Sequence, residues 1–377
     1  MKNKKILVIC RDNIGDSLLA TPLIKYLSRK NEGRIDILTN SYASPVFDGN
    51  PYVGKIWVYS KTKHCQSRVS ALRSLWERLQ LCLALNREKY DCVVIAKSIW
   101  DKHSLKWANI IRAKEIVAFG KDSHPRITKL LPLQDSKLHV AEVFFNLAKG
   151  VFDGASEPEE LDIYPKTELV DHYRRLINNK ENQMLIAIQI SSRKKCQRWP
   201  LESFISLVKK ISDRTPFRIV LLWSPGEEGS LTHPGDNIKA EMITSACKDI
   251  NLTPVYTDSL EDLKAVLANC HAMVSSDGGA VHIGAATGLP VVALYGNSDP
   301  ANWHPWKVPH SILQGNDNNV SNITSEQVFK SLILLLPAIP ELKNYNSPAR
   351  QPLSGSDFVA TEQLHGAGSS LRTANEG

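Results

Sequence analysis

The 377-residue chain is 42% hydrophobic and 23% charged, the balance of a globular protein long enough for two cores of ordinary domain size. The apolar run after its basic start, Ile6-Leu7-Val8-Ile9-Cys10, is too short for a signal-peptide core, and no other stretch approaches the length of a membrane span. Seven scattered cysteines without a C-x-x-C pair give no disulfide framework and suit a reducing compartment, so a cytoplasmic protein is expected.

The formal charge of +7 is unevenly spread. Residues 1–155 carry 26 Lys+Arg against 14 Asp+Glu and residues 156–377 carry 20 against 25, so the first part is +12 and the second −5. Such an excess reads either as a solvated surface or as a face for an anionic partner, such as a phosphorylated glycolipid at a membrane. Nucleic acid is not expected, because no compact basic run interleaved with aromatics occurs.

In chain order, strands are predicted at Lys5–Cys10, Ile35–Thr39, Lys55–Tyr59, Cys92–Ala96 and Glu115–Ala118. Helices are predicted at Ser17–Ser28, Ser67–Arg87, Ser104–Ile111 and His139–Lys149. The alternation implies parallel strands with crossover helices. Gly150 to Pro165, rich in Gly, Pro and acids, reads as a linker. The rhythm resumes with strands at Met184–Ile190, Phe217–Trp223, Ala272–Ser275 and Val291–Tyr295, and helices at Leu201–Ser212, Asn237–Lys248, Leu260–Ala268, Ala280–Thr287 and Ser325–Leu335. The expected organisation is an N-terminal domain over 1–152, a linker over 153–165, a C-terminal domain over 166–340 and a disordered tail over 341–377, whose Pro, Ser, Gly and Ala lack apolar periodicity.

Three loops at strand ends carry candidate chemistry, since ligands of α/β domains sit at the carboxyl ends of strands. The first is Arg11-Asp12-Asn13-Ile14-Gly15-Asp16. Gly15 permits close approach of a ligand to the backbone, and Asp16 reads either as a cap for the next helix or as a base at the lip of a cleft. No G-x-G-x-x-G occurs there, which removes most support for a nicotinamide enzyme. The second is Ser191-Ser192-Arg193-Lys194-Lys195-Cys196-Gln197-Arg198-Trp199-Pro200, whose cations and hydroxyls make either a diphosphate site or an exposed charge run. The third is Asp277-Gly278-Gly279-Ala280-Val281-His282, where the free N–H groups of a helix start can meet a phosphate without a P-loop. His282, one turn in, is either a packed residue or a ligand contact. No second His or carboxylate stands at metal-ligand spacing from it, so neither a metal nor another cofactor is expected.

The ordered set Ile6-Leu7-Val8-Ile9, Ile14-Gly15-Asp16, Thr21-Pro22-Leu23, Arg198-Trp199-Pro200, Ser276-Asp277-Gly278-Gly279, His282, Pro290, Gly296-Asn297-Ser298-Asp299-Pro300, Trp303 and Trp306 resembles the heptosyltransferases of glycosyltransferase family 9. The likeness spans roughly residues 4–335. It implies a GT-B fold, two Rossmann-like domains facing across a cleft, and inverting, metal-independent transfer of heptose from ADP-heptose to a lipopolysaccharide core at the inner face of the cytoplasmic membrane. It also implies Asp16 as general base, with Arg11, Asn13 and Gly15 on the acceptor side. The donor set it implies is Ser191, Ser192, Lys195, Arg198, Asp277, Gly278, Gly279 and His282, with Glu227, or alternatively Glu228, on the ribose. Two positions depart from the pattern: Gln197 stands where members commonly have Lys, and Gly278 where Ser or Thr is usual. These departures leave open another nucleotide sugar for O-chain or capsule assembly, and a binding protein without turnover. Lys195 or Arg198 is the expected replacement for the missing cation.

Overall fold

Runs of β-branched and aliphatic residues that are buried on both faces form strands covered by helices on either side, and this sequence supplies two such sets. The computed structural model describes residues 3–60, 68–154, 157–227 and 235–336. The predicted tail and Glu228 lie outside the described residues.

The first sheet contains β1 (Ile6–Cys10), β2 (Ile35–Asn40), β3 (Val53–Tyr59), β4 (Cys92–Ile95), β5 (Glu115–Phe119) and β6 (Lys129–Leu131) in the order β3-β2-β1-β4-β5-β6. Its helices are α1 (Ile14–Leu19), α2 (Thr21–Asn31), α3 (Arg68–Arg87), α4 (Lys102–Ile111) and α5 (Val140–Phe145). The second sheet contains β7 (Leu185–Gln189), β8 (Arg218–Trp223), β9 (Leu252–Tyr256), β10 (Ala272–Ser276), β11 (Val291–Tyr295) and β12 (His310–Gln314) in the order β12-β11-β10-β7-β8-β9. Its helices are α6 (Thr167–Ile177), α7 (Leu201–Arg214), α8 (Asn237–Ala246), α9 (Leu260–Leu267), α10 (Gly279–Ala286), α11 (Pro300–Trp303) and α12 (Ser325–Leu335). Every pairing in both sheets is parallel. Each sheet therefore reverses its strand order once, between β1 and β4 and between β7 and β10. That crevice is where such folds bind ligands.

Three apolar layers result. α3 and α4 cover one face of the first sheet around Leu85, Trp107 and Ile111. α7 and α12 cover the outer face of the second around Phe204, Leu207 and Leu332. The inner faces and the helices between them form one continuous cluster, from Val8 and Leu23 through Phe144 to Met273, Val281 and Trp306. Leu161 and Ile163, in the segment joining the two units, are buried in that cluster, and Lys25 of α2 binds Glu159 and Asp162 at 2.9 and 3.3 Å.

Three local outcomes differ from the sequence expectation. The single helix expected over Ser17–Ser28 is two, α1 and α2, because Pro22 lacks an N–H for the ladder; the Thr21 hydroxyl donates instead to Leu18 O at 2.7 Å. Gly15 and Asp16 accordingly lie in the first turn of α1, not in the loop before it. The expected helix His139–Lys149 ends as α5 at Phe145 and continues to Gly150 as a 3-10 turn.

The inner helices meet where side chains are smallest. A Cβ added to Gly15 of α1 would lie 2.9 Å from His282 Cδ2 of α10, and one added to Gly279 would lie 3.6 Å from the Ile14 side chain. Gly15→Val is therefore expected to lower unfolding stability by about 1–3 kcal/mol, with part of the loss recovered when His282→Ala is combined with it, as measured by chemical denaturation. Equal losses with and without the His282 ring would exclude that contact as the cause.

Candidate active site

The four loops that follow β1, β4, β7 and β10 converge at the two strand-order reversals. The first two form the N-terminal wall. Asn13 caps α1 in an extended conformation, and its backbone N–H donates to Asp16 Oδ2 at 3.1 Å. Asp16 thus serves as a helix cap, and among the described residues it forms no ion pair. Burial first, and the neighbouring Asp12 second, push the Asp16 carboxyl above the usual carboxylate range, against the pull of the Asn13 N–H and Lys97. Such a carboxylate is more basic than an ordinary one, which suits proton abstraction.

Cations that would otherwise quench Asp16 are engaged elsewhere. Lys97 Nζ lies 2.6 Å from Asp101 and 3.2 Å from Asp12, and Arg11 lies 3.3 Å from Asp101. Burial acts to raise Asp101, but Lys97, the Ser104 N–H and Arg11 outweigh it and hold the carboxyl down at about 2. Arg11 Nε and the Tyr59 hydroxyl are buried here without a hydrogen-bond partner of good geometry. Lys97, Asp101 and Tyr59 were not singled out in the sequence. The signal for the first two was the order of the strands, since a reversal after β1 makes the β4 loop its opposite lip.

The C-terminal wall is built on the start of α10. Gly278 holds φ +154 and ψ −172, a conformation that strains any residue with a Cβ. The residue in place of the usual Ser or Thr therefore also shapes the backbone. Asp277, just before it, is 8% exposed and accepts a 2.5 Å hydrogen bond from the Gln197 amide, which also reaches Ser298 Oγ at 3.3 Å. Burial raises the Asp277 carboxyl; Ser298 and the more distant Lys194 act in the opposite sense. Gln197 is itself buried, at the end of a 3-10 turn clamped by Trp199, whose indole N–H donates to Ile323 O at 2.8 Å.

The remaining predicted residues are distributed unevenly. Arg198 Nε donates to Ser192 O at 3.0 Å, and Ser191 Oγ accepts from Ser224 N at 2.9 Å, so these residues shape the loop. Ser192 Oγ and Gln189 Oε1 are buried at the end of β7 without a partner. Lys195 and Glu227 are exposed on the rim. Gly15, Gly279 and His282 are brought together at the seam. His282 is 3% exposed with Nδ1 unpartnered, and its ring lies 6.1 Å from that of Trp303. Among the described residues no group of three His, Cys, Asp or Glu side chains is placed to hold a metal ion.

The family model for Glycosyltransferase family 9 (heptosyltransferase) matches residues 78–333. The chain belongs to that family. It is a heptosyltransferase-like glycosyltransferase with the GT-B fold. Lipopolysaccharide heptosyltransferase 3 of Escherichia coli is 23% identical over 302 residues, covering 78% of this chain and 83% of that protein. The glycosyl transferase family 9 structure from Veillonella parvula DSM 2008 superposes with a TM-score of 0.74 at 21% identity, over 90% of this chain and 99% of that one. The structure of E. coli ADP-heptose lps heptosyltransferase II gives 0.68 at 19% identity, over 89% and 99%.

A histidine cluster closes one end of the seam in this family 9 chain. His139 Nδ1 accepts from Ala141 N at 3.2 Å while Nε2 meets His304 O at 2.9 Å, which fixes the neutral tautomer with the proton on Nε2. Its ring stacks on Trp306 at 4.5 Å, and Asn302 Nδ2 donates to Ser136 O and Leu138 O at 2.6 and 2.8 Å. Burial pushes His139 down to about 2 and His282 down to about 4, and lowers His304 and His310.

A histidine depressed on folding contributes stability that is complete above its unfolded value near 6.5 and is lost as pH falls towards the folded value. Asp16 and Asp277, raised on folding, act in the opposite sense, since each regains stability as pH falls through its raised folded value. Stability is therefore expected to fall as pH drops from 7 towards about 4, by an amount on the order of a few kcal/mol. His139→Gln should flatten that slope in denaturation midpoints measured across this range; an unchanged slope would exclude His139 as a contributor.

Proposed function

We propose that this glycosyltransferase moves heptose from ADP-heptose to a hydroxyl of a lipopolysaccharide core, with inversion and without a metal, at the inner face of the cytoplasmic membrane. The observation that carries the reading is the meeting of the Asp16 helix with the start of α10 across the seam. It sets a basic carboxylate opposite an anion-binding helix end, as displacement at an anomeric carbon requires. The relatives support the donor and acceptor: one is named for lipopolysaccharide and another for ADP-heptose.

In this mechanism the acceptor oxygen attacks the anomeric carbon from the face opposite the diphosphate. Its proton passes to Asp16, the new glycosidic bond forms and the bond to the diphosphate oxygen breaks. Negative charge then grows on the leaving group, where the free N–H groups of α10 and the Lys194, Lys195 and Arg198 loop meet it. The Arg11 guanidinium and the Tyr59 hydroxyl, which lie against each other, are suited to a hydroxyl- and phosphate-rich acceptor. Ser192 Oγ and Gln189 Oε1 are suited to the donor. Glu227 on the rim would reach its ribose. Another nucleotide sugar remains the second reading, because Gln197 removes a cation beside Asp277.

Two experiments test these assignments. Asp16→Asn should lower kcat about 10²–10⁴-fold while ADP affinity stays within two- to three-fold of the wild type, about 0.5 kcal/mol; full activity would remove Asp16 as the base. A panel of sugar nucleotides read by thermal stabilisation should give its largest shift with ADP-heptose. Gln197→Lys should tighten nucleotide binding by about 10-fold through a charge-assisted contact. A larger shift with a hexose nucleotide in both proteins would overturn the heptose donor.

A further inference from the structure

Outside the cleft, the first unit carries a groove of about 690 Å³ between α3 and α4. Leu83, Trp100 and Ile110 give it an apolar lining, while Lys102, Lys106 and Arg112 supply charge, and none of its lining residues is acidic. The three cations are exposed, and no ion pair engages them among the described residues. The apolar lining continues along α3. Trp76, Leu79 and Leu83 are 60%, 49% and 52% exposed, and their spacing of three and then four residues puts them on one face of the helix.

A soluble surface rarely shows a large aromatic, two leucines and three unpaired cations together with no carboxylate among them. Apolar side chains flanked by cations match the acyl and headgroup layers of an anionic membrane, where long basic side chains keep their charge at phosphate level while their stems lie against apolar surface. Trp is also favoured at that boundary, because its ring is apolar and its N–H polar. No helix among the described residues is long and apolar enough to cross a membrane, so the contact would be peripheral.

We propose that the α3–α4 face is the docking surface by which this enzyme sits on an anionic phospholipid bilayer. The proposal builds on the lipid-linked acceptor put forward above and names the surface that meets the lipid. The position of the groove supports it. The loop between β4 and α4 carries Lys97 and Asp101 on the side of Arg11 and Asp12, and Trp100 on the side of the groove. Docking through α3 and α4 would therefore hold the acceptor wall within one loop of the membrane.

The test is vesicle co-sedimentation of the full chain with phosphatidylcholine alone and with phosphatidylcholine containing phosphatidylglycerol. The wild type should bind only the anionic vesicles and be released by high salt. The variant Lys102→Gln/Lys106→Gln/Arg112→Gln should bind them roughly 100-fold more weakly, at roughly 5-fold per cation removed. Trp76→Ser/Leu83→Ser should also lose binding, and both variants should keep the wild-type melting temperature and ADP affinity. Equal binding to neutral vesicles, no binding to anionic ones, or wild-type binding by the triple variant would overturn the proposal. So would a dimer in gel filtration that either variant dissociates, with no vesicle binding. Failure of ADP to bind a vesicle-bound wild type would instead count against the proposed reaction and leave this surface standing.

Discussion

The contact between α1 and α10 is limited by what Gly15 lacks. Any side chain there would enter the space of the His282 ring, and Gly279 lets the start of α10 come up against Ile14. Two helix N-termini, each equivalent to roughly half a positive charge, are therefore held near each other in a poorly solvated seam. Left alone they would repel. Asp16, in the first turn of α1, offsets one of them, whereas α10 has no acidic residue in its own first turn. The pair is thus polarised, with a carboxylate inside the first turn on the acceptor wall and, on the donor wall, a helix end whose nearest carboxylate, Asp277, lies before the helix and is held by Gln197.

The same economy governs the charges around Asp16. Asp12, Lys97, Asp101 and Arg11 form a connected set in which each cation already faces a carboxylate. A cation paired directly with Asp16 would stabilise its charged form and make it a poorer base. Instead burial and Asp12 act on it together, and its hydrogen bonds come from backbone N–H groups. Structural capping and proton abstraction, alternatives when the sequence is read alone, are compatible on one side chain because a carboxylate has two oxygens and the cap uses one.

The central strands were legible because residues buried on both faces leave near-continuous apolar runs; β1, β4, β7, β10 and β11 are all of this kind. Of the four edge strands only β3 was predicted. β6 is three half-buried residues, β9 alternates around Pro254, and β12 is only partly covered, so none leaves a strong apolar signal. Helix α6 was not among the predicted elements, although Leu169, Val170, Tyr173 and Ile177 give it one apolar face. At the site, residues contiguous with a glycine-bearing motif could be read from the chain. Lys97, Asp101 and Tyr59 could not, since their role depends on which strands lie side by side. The burial of His282 depends in turn on how the two units pack, which one-dimensional spacing does not carry.

Gln197 shows how a departure from a family pattern can be absorbed. A lysine at this buried position would face Asp277 as an ion pair, whose desolvation would be offset by mutual attraction. With glutamine there, the carboxylate keeps a short hydrogen bond but loses its nearest opposite charge, and burial raises it above the usual carboxylate range. Recognition at the start of α10 therefore loses a side-chain cation. The positive φ of Gly278 adds to this effect: without a hydroxyl at that position, recognition of the leaving group rests more heavily on backbone N–H groups. A site arranged in this way meets a diphosphate chiefly through fixed dipoles, which need little reorganisation as charge develops on the leaving oxygen.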